Sequence, residues 1–166
     1  MLRIRRATPA DAGAIISGIN AICAEGGAFC SSHFEPSPTW QTVLYRPEMA
    51  PDHILAVAEW DGAFAGAGRL FPEPPHSYLR HVVELGMFVL PPFRRRGIGR
   101  ALLQWMLAWA GEHAYEKVTL AVFADNVPAI TLYQSAGFAE EGRLRRQIKI
   151  ANTYTDLVLM ACWLTT

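Results

Sequence analysis

The sequence predicts an α+β, or mixed α/β, fold, and three observations carry that expectation. Stretches of period-two alternation and stretches of helical periodicity succeed one another in the order β, α, α, β, β, β, α, β, α, β, β. Asp61-Gly62 separates two apolar runs, the signature of a hairpin between antiparallel strands. A strand, helix, strand unit follows in the middle of the chain, as in mixed α/β architectures.

Each element has its own local warrant. Leu2 to Arg6 alternates apolar and basic residues as a half-buried strand does. Thr8-Pro9-Ala10-Asp11 supplies an N-cap hydroxyl, a proline at N1 and a carboxylate at N3, so a helix is expected from about Pro9 to Ala24. Residues 26 to 38, with Gly26-Gly27, Ser31-Ser32, Pro36 and Pro38, read as a loop, and a short helix over Thr39 to Tyr45 follows. Ile54 to Trp60 and Ala63 to Phe71 are the hairpin strands, ended by Pro72, Pro74 and Pro75. His81 to Val89 is the next strand, stopped by Pro91-Pro92. The helix expected from Gly97 or Gly99 to about Ala114 is apolar nearly all round, which predicts cover on more than one side. Val118 to Phe123 reads as a short buried strand and Val127 to Ala136 as a helix with Gly137 at C′. Strands over about Phe138 to Ile150 and Thr155 to Leu164 close the chain, with Arg143 to Lys149 expected on an exposed strand face.

Composition narrows the class. The chain has 166 residues, 51% hydrophobic and 18% charged, which suits one compact soluble domain covering 1–166. Cys23, Cys30 and Cys162 are odd in number and lack CxxC spacing, so reduced thiols and a cytoplasmic setting are expected. No run reaches the ~18 apolar residues of a membrane span. Fifteen basic residues balance fifteen acidic ones, which weighs against nucleic-acid and membrane partners because both draw on summed positive field. Cys23, Cys30 and His33 stand at irregular spacing without a fourth ligand, so no metal is expected.

The segment that carries chemistry is Val89 to Leu103, where a strand ends in the turn Arg94-Arg95-Arg96-Gly97-Ile98-Gly99-Arg100 and opens a helix. A glycine-rich turn at a helix N-terminus presents unpaired N–H groups in one direction, which suits phosphate oxygens, and the flanking arginines add charge. The Walker pattern is absent because no lysine and hydroxyl pair follows the glycines. The dinucleotide pattern fails because Leu102 fills its third small position.

Arg94-Arg95-Arg96-Gly97-Ile98-Gly99 resembles the [QR]-x-x-G-x-[GA] motif of the GNAT superfamily of acyl-CoA-dependent N-acyltransferases. Asn126-Val127-Pro128-Ala129-Ile130-Thr131-Leu132-Tyr133, running on to Gly137-Phe138, is similar to the family's second motif at the usual distance. The closing strands, with Arg145 to Ile150 and Tyr154-Thr155-Asp156, look like those of amino-acid-directed members, and the whole is closest in look to amino-acid and phosphinothricin-type N-acetyltransferases. The resemblance implies a central, mostly antiparallel twisted sheet of about seven strands, splayed in a V between the fourth and fifth and flanked by about four helices.

It also implies roles, residue by residue. Acetyl-CoA would be the cosubstrate, its pyrophosphate held at Arg94 and by the amides of Arg95, Arg96, Gly97, Ile98, Gly99 and Arg100. The strand edge at Met87, Phe88 and Val89 would pair with the pantetheine, and Gly86 would carry the bulge that opens the V. The Met87 amide would polarise the thioester carbonyl, and Asn126 would bond the cofactor and fix the helix after it. Tyr133 would be the general acid for the leaving thiolate, and Glu84 the base for the attacking amine, directly or through water. Glu84 would also help hold the substrate together with Phe34 and Arg80, and Arg80 or His81 would face a substrate carboxylate. The loop at 26 to 38 would form the acceptor side, with Phe29, Phe34 and Trp40 lining a pocket. Gly86 in place of the usual serine, and Arg69-Leu70-Phe71-Pro72, depart from the pattern.

From spacing alone, Tyr133 fits a core position and Glu84 fits either a solvated face or a functional one. The expected activity is direct acetyl transfer to a primary amine of a small molecule, an amino acid or analogue being favoured. Protein N-termini or lysines as acceptors, and a non-catalytic acyl-CoA-binding module, are the alternatives, and a homodimer is expected from the family.

Overall fold

The computed structural model describes residues 1–73 and 77–164. Seven strands and four α-helices form in the expected order: β1 (Leu2–Arg6), α1 (Ala12–Glu25), α2 (Pro38–Tyr45), β2 (Ile54–Trp60), β3 (Ala63–Pro72), β4 (Val82–Val89), α3 (Ile98–Glu112), β5 (Lys117–Phe123), α4 (Val127–Ser135), β6 (Ala139–Ile150) and β7 (Thr153–Trp163). The strands make one sheet in the order β1-β2-β3-β4-β5-β7-β6, in which β4 and β5 are the parallel pair and the other neighbours are antiparallel. Pro72 closes β3, while Pro74 and Pro75 lie outside the described residues.

The sheet is covered on both faces, which is why its central strands read as continuous apolar runs. On one face Ile15, Ile19 and Ile22 of α1 and Val43 and Leu44 of α2 pack on Leu55, Val57, Ala67, Phe71 and Phe88. On the other, Leu102, Leu103 and Met106 of α3 pack on Ile54, Leu70, Val83, Leu85 and Leu120, with Tyr133 and Phe138 from the α4 region. Strand alternation divides β4 between them: Val83, Leu85 and Met87 face α3, whereas Glu84, Gly86 and Phe88 face α1.

Four local details refine this architecture, and two of them, the start of α1 and the backbone at Gly86, differ from expectation. The turn Pro9–Asp11 is 3₁₀, and α1 starts at Ala12; the Asp11 carboxylate accepts from the Thr8 N–H at 2.7 Å, as the capping signal requires. The sheet's bulge near the hairpin falls at Ala65, since Ala58 faces Gly66 while Glu59 faces Phe64. Gly86 carries no bulge: β3 and β4 stay in unbroken register from Gly66↔Val89 to Pro72↔Val83. The exposed β6 is also interrupted, with pairing lost between Leu144 and Ile148, where Arg146 has φ +51° and donates its N–H to Asp156 Oδ1 at 2.7 Å.

Candidate active site

The site begins where β4 and β5 part. They pair only at Val82↔Lys117, Val83↔Val118 and Glu84↔Thr119, after which β5 continues against β7 and β4 against β3. The V therefore opens by divergence of two strands, with no inserted residue on β4. The Leu90 N–H donates to Ala65 O at 2.8 Å, which fixes the antiparallel alternation along this ladder. By that alternation the N–H and C=O groups of Glu84, Gly86 and Phe88 turn to β3, and those of Leu85, Met87 and Val89 turn into the gap. Val89 O accordingly accepts from Arg94 Nε at 2.9 Å instead of from a strand. Met87 and Val89 thus offer the expected free edge; Phe88 does not, because its backbone is spent on β3 and only its side chain reaches the cavities.

A cleft of about 820 Å³ runs from this edge to the start of α3. Its walls include Met87, Phe88, Val89, Arg94, Arg95, Gly97, Ile98, Gly99, Arg100, Asn126 and Tyr133. Gly97 caps α3 at φ +78°, a left-handed value that glycine adopts freely, and Arg95 has φ +61°. None of the amides of residues 95 to 100 donates to a described backbone or side-chain acceptor. Six donors are thus left at the positive end of a 15-residue helix, the donor set a diphosphate requires. Asn126 caps α4 by accepting from the Ala129 N–H at 3.4 Å. Arg96 is the one member of the turn outside the cleft; its guanidinium lies 5.4 Å from the Trp60 ring centre.

Tyr133 is 8% exposed, packed 5.7 Å from the Phe138 ring, and lines the cleft. Its hydroxyl bonds no described protein group yet is not sealed off by its neighbours, so it opens on the cleft. Burial pushes the phenol up to about 12, which keeps its proton in place at neutral pH. Core residue and cleft residue are here the same side chain.

A second cavity, about 370 Å³, adjoins the first at Ala28, Phe29, Leu85, Gly86, Met87, Phe88 and Ala121. Phe29, Phe34 and Trp40 line it as expected; Phe34 and Trp40 stack edge to face at 5.0 Å, and Trp40 meets Phe71 at 4.9 Å. Asn20 holds the loop in place, accepting the Phe34 N–H at 2.8 Å and donating to Phe34 O at 3.2 Å. Glu84 lies in this cavity, 43% exposed, with Oε1 held by Arg69 Nη2. Cys23 and Cys30 also border it, and burial pushes both thiols up, so they stand as thiols.

Arg80 is not brought to the site. It is exposed and precedes β4 at the end where β4 and β5 are still bonded, and it lines neither cavity. His81 is held there too: its C=O accepts from Glu116 and Lys117, and its ring stacks on Trp163 at 6.3 Å. The sequence reading missed Glu25, whose carboxylate takes both Arg94 Nη groups at 3.0 and 2.9 Å at the cleft mouth, and Arg69 in the second cavity. Only the odd Arg69 segment left a signal. Among the described residues no three His, Cys, Asp or Glu side chains gather as a metal-ion group, and no helix is long and apolar enough to cross a membrane.

Residues 25–138 match the acetyltransferase (GNAT) family. The chain belongs to that family. It is 32% identical over 153 residues to the N-alpha-acetyltransferase RimI of Mycobacterium tuberculosis, covering 89% of this chain and 90% of that one. It is also 32% identical over 146 residues to the L-amino acid N-acetyltransferase AaaT of Escherichia coli, covering 86% and 88%. A GNAT superfamily phosphinothricin acetyltransferase from Sinorhizobium meliloti, solved with acetyl-CoA, shares the fold at a TM-score of 0.87 and 20% identity, covering 98% of this chain and 88% of that one. This GNAT protein is thus an acyltransferase of the N-acetyltransferase kind, with acetyl-CoA as cosubstrate. The amides of residues 95 to 100 and the open edge of Met87 and Val89 fit that cosubstrate's diphosphate and its amide-bearing arm.

Proposed function

We propose that this enzyme, acting as one domain in the cytoplasm, transfers the acetyl group directly to the primary amine of a small molecule held in the second cavity. The observation that supports this most is the meeting of the two cavities at Leu85, Gly86 and Met87. The larger suits the cosubstrate; the smaller has a volume typical of small-molecule sites and aromatic walls from Phe29, Phe34 and Trp40.

Acetyl-CoA supplies the acetyl group as an activated thioester. Amides 95 to 100, with Arg95 and Arg100 alongside, bind its diphosphate, and Met87 and Val89 align its arm as an added strand. The Met87 N–H, directed into the gap, donates to the carbonyl oxygen as negative charge builds there. Glu84 takes the proton released by the attacking amine, on Oε2 or through water. Tyr133 gives its hydroxyl proton to the departing sulfur, which leaves as the CoA thiol, and the phenolate left behind recovers a proton from solvent, while the amine's proton leaves through Glu84.

Thiol release from acetyl-CoA, followed with a panel of small amines and short peptides, tests the reading. Turnover with small amines supports it, and turnover confined to peptide N-termini overturns it in favour of a protein acceptor, the activity named for the RimI relative. Binding of acetyl-CoA with no turnover on any acceptor would leave a binding module.

A further inference from the structure

The two segments that depart from the family's usual pattern are one structural feature. Arg69 stands directly opposite Gly86 in the β3–β4 register. A Cβ built on Gly86 would come within 3.1 Å of Arg69 Nε and 3.5 Å of its Cγ and Cζ, so the arginine side chain lies over the position that a residue-86 side chain would take. Lying there, it carries Nη2 to Glu84 Oε1 and leaves its guanidinium 5.1 Å from the Phe71 ring centre. Gly86 has no bulge to form; what it supplies is room for Arg69.

Arg69 and Glu84 both line the second cavity, whose remaining wall is largely apolar: Ile15, Ile19, Phe34 and Trp40. Among the described residues the guanidinium uses one of its five donors on Glu84, and Oε2 of Glu84 has no bonded partner. An open arginine fork and an open carboxylate oxygen therefore sit side by side, next to the Leu85–Met87 edge where acetyl transfer is placed. One is a cationic side chain and the other a carboxylate. A group carrying an amine and a carboxylate a few bonds apart matches both: its carboxylate pairs with Arg69 and its ammonium with Glu84. A simple amine would leave the free arginine donors to water, and a peptide N-terminus offers only a neutral carbonyl to them.

We propose that Arg69, seated by Gly86, is the specificity residue that binds the acceptor's carboxylate, and that the acceptor is a free amino acid with an apolar side chain directed at Phe34 and Trp40. This rests on the acetyl-transfer reading above. The test measures thiol release from acetyl-CoA with leucine, methionine and phenylalanine, each beside its amide, its decarboxylated amine and a tripeptide with the same first residue. The free acids are expected to exceed their amides by about 10- to 100-fold in kcat/KM, the range of a charge-assisted hydrogen bond, and to do so mainly through KM. In Arg69→Met the acid-to-amide ratio falls to about one with KM for acetyl-CoA unchanged. Arg69→Lys keeps part of the ratio, and Gly86→Ser, which crowds Nε, lowers it. Amides or peptides turned over as fast as the acids by the unaltered enzyme overturn this assignment while leaving acetyl transfer intact. Acetyl-CoA binding without turnover of any compound overturns both.

Discussion

Arg94 and Glu25 are joined by two hydrogen bonds, at 3.0 and 2.9 Å, across 69 residues of sequence and across the mouth of the larger cleft. Both side chains are about two-fifths exposed, so the pair itself is worth roughly 0–1 kcal/mol. Its meaning lies in competition. A diphosphate reaching the turn must take Arg94 from a carboxylate that is already there and of like charge to itself. Glu25→Gln is therefore expected to lower KM for acetyl-CoA by about two- to fivefold, with kcat little altered, in steady-state rates at low ionic strength. An increase in KM would instead make Glu25 a positioning group for Arg94.

Tyr133→Phe keeps the ring against Phe138 and removes only the hydroxyl that opens on the cleft. The expected loss is about 10²- to 10⁴-fold in kcat, with acetyl-CoA affinity and thermal midpoint nearly unchanged. Because burial holds the phenol at about 12, its deprotonated form stays a minor species up to about pH 10.5. Rates should rise with pH as the acceptor amine loses its proton and show no Tyr133-dependent fall up to about pH 10.5. A basic limb that disappears in Tyr133→Phe would contradict this.

Gly97 pairs a left-handed backbone with open space, since an added Cβ would meet nothing within 4 Å. Gly97→Ala therefore costs conformational strain alone, about 1–2 kcal/mol. The expected result is a lower thermal midpoint together with weaker acetyl-CoA binding. Gly97→Asn, which tolerates the left-handed region better, should lose less of both.

Acid stability has an identifiable contributor. Arg5 holds Asp11 through two bonds of 2.8 Å and Glu59 through Nη2 at 2.6 Å. The guanidinium, and then the Thr8 N–H and hydroxyl, draw the Asp11 carboxyl down from 3.8 to about 2. A folded value below the unfolded one means that the stabilisation is complete above about pH 5 and is lost as pH falls through 2. Solvent screening leaves it of order 1 kcal/mol. Asp11→Asn should lower the urea midpoint at pH 7 and much less at pH 2.

The elements that could be read in the sequence are those fixed by local chemistry. Asp61-Gly62 allows one kind of connection, Thr8 and Asp11 cap each other within four residues, and the Gly97 turn carries its own orphan donors. The cleft follows from that turn because the strand before it and the helix after it bring the rest. What stayed hidden depends on register and on distant pairs. A glycine within a strand signals either a bulge or a close approach, and only the Arg69↔Gly86 pairing decides for the second. Glu25 had no neighbour in sequence to betray Arg94. Arg80 stands four residues before Glu84, yet β4 begins only at Val82, so nearness along the chain did not become nearness in space.

The parting of β4 from β5 leaves the sheet with a seam in its middle, and that seam has a signature in solvent exchange. The Leu85, Met87 and Val89 amide protons point into the gap, while those of Glu84, Gly86 and Phe88 are tied to β3. In the free enzyme, successive residues of one central strand should thus exchange with deuterium at alternating rates, three fast and three slow. A bound arm lying as an extra strand would slow Met87 and Val89 and leave their neighbours as they were, so each amide would report which stretch of the seam a ligand closes.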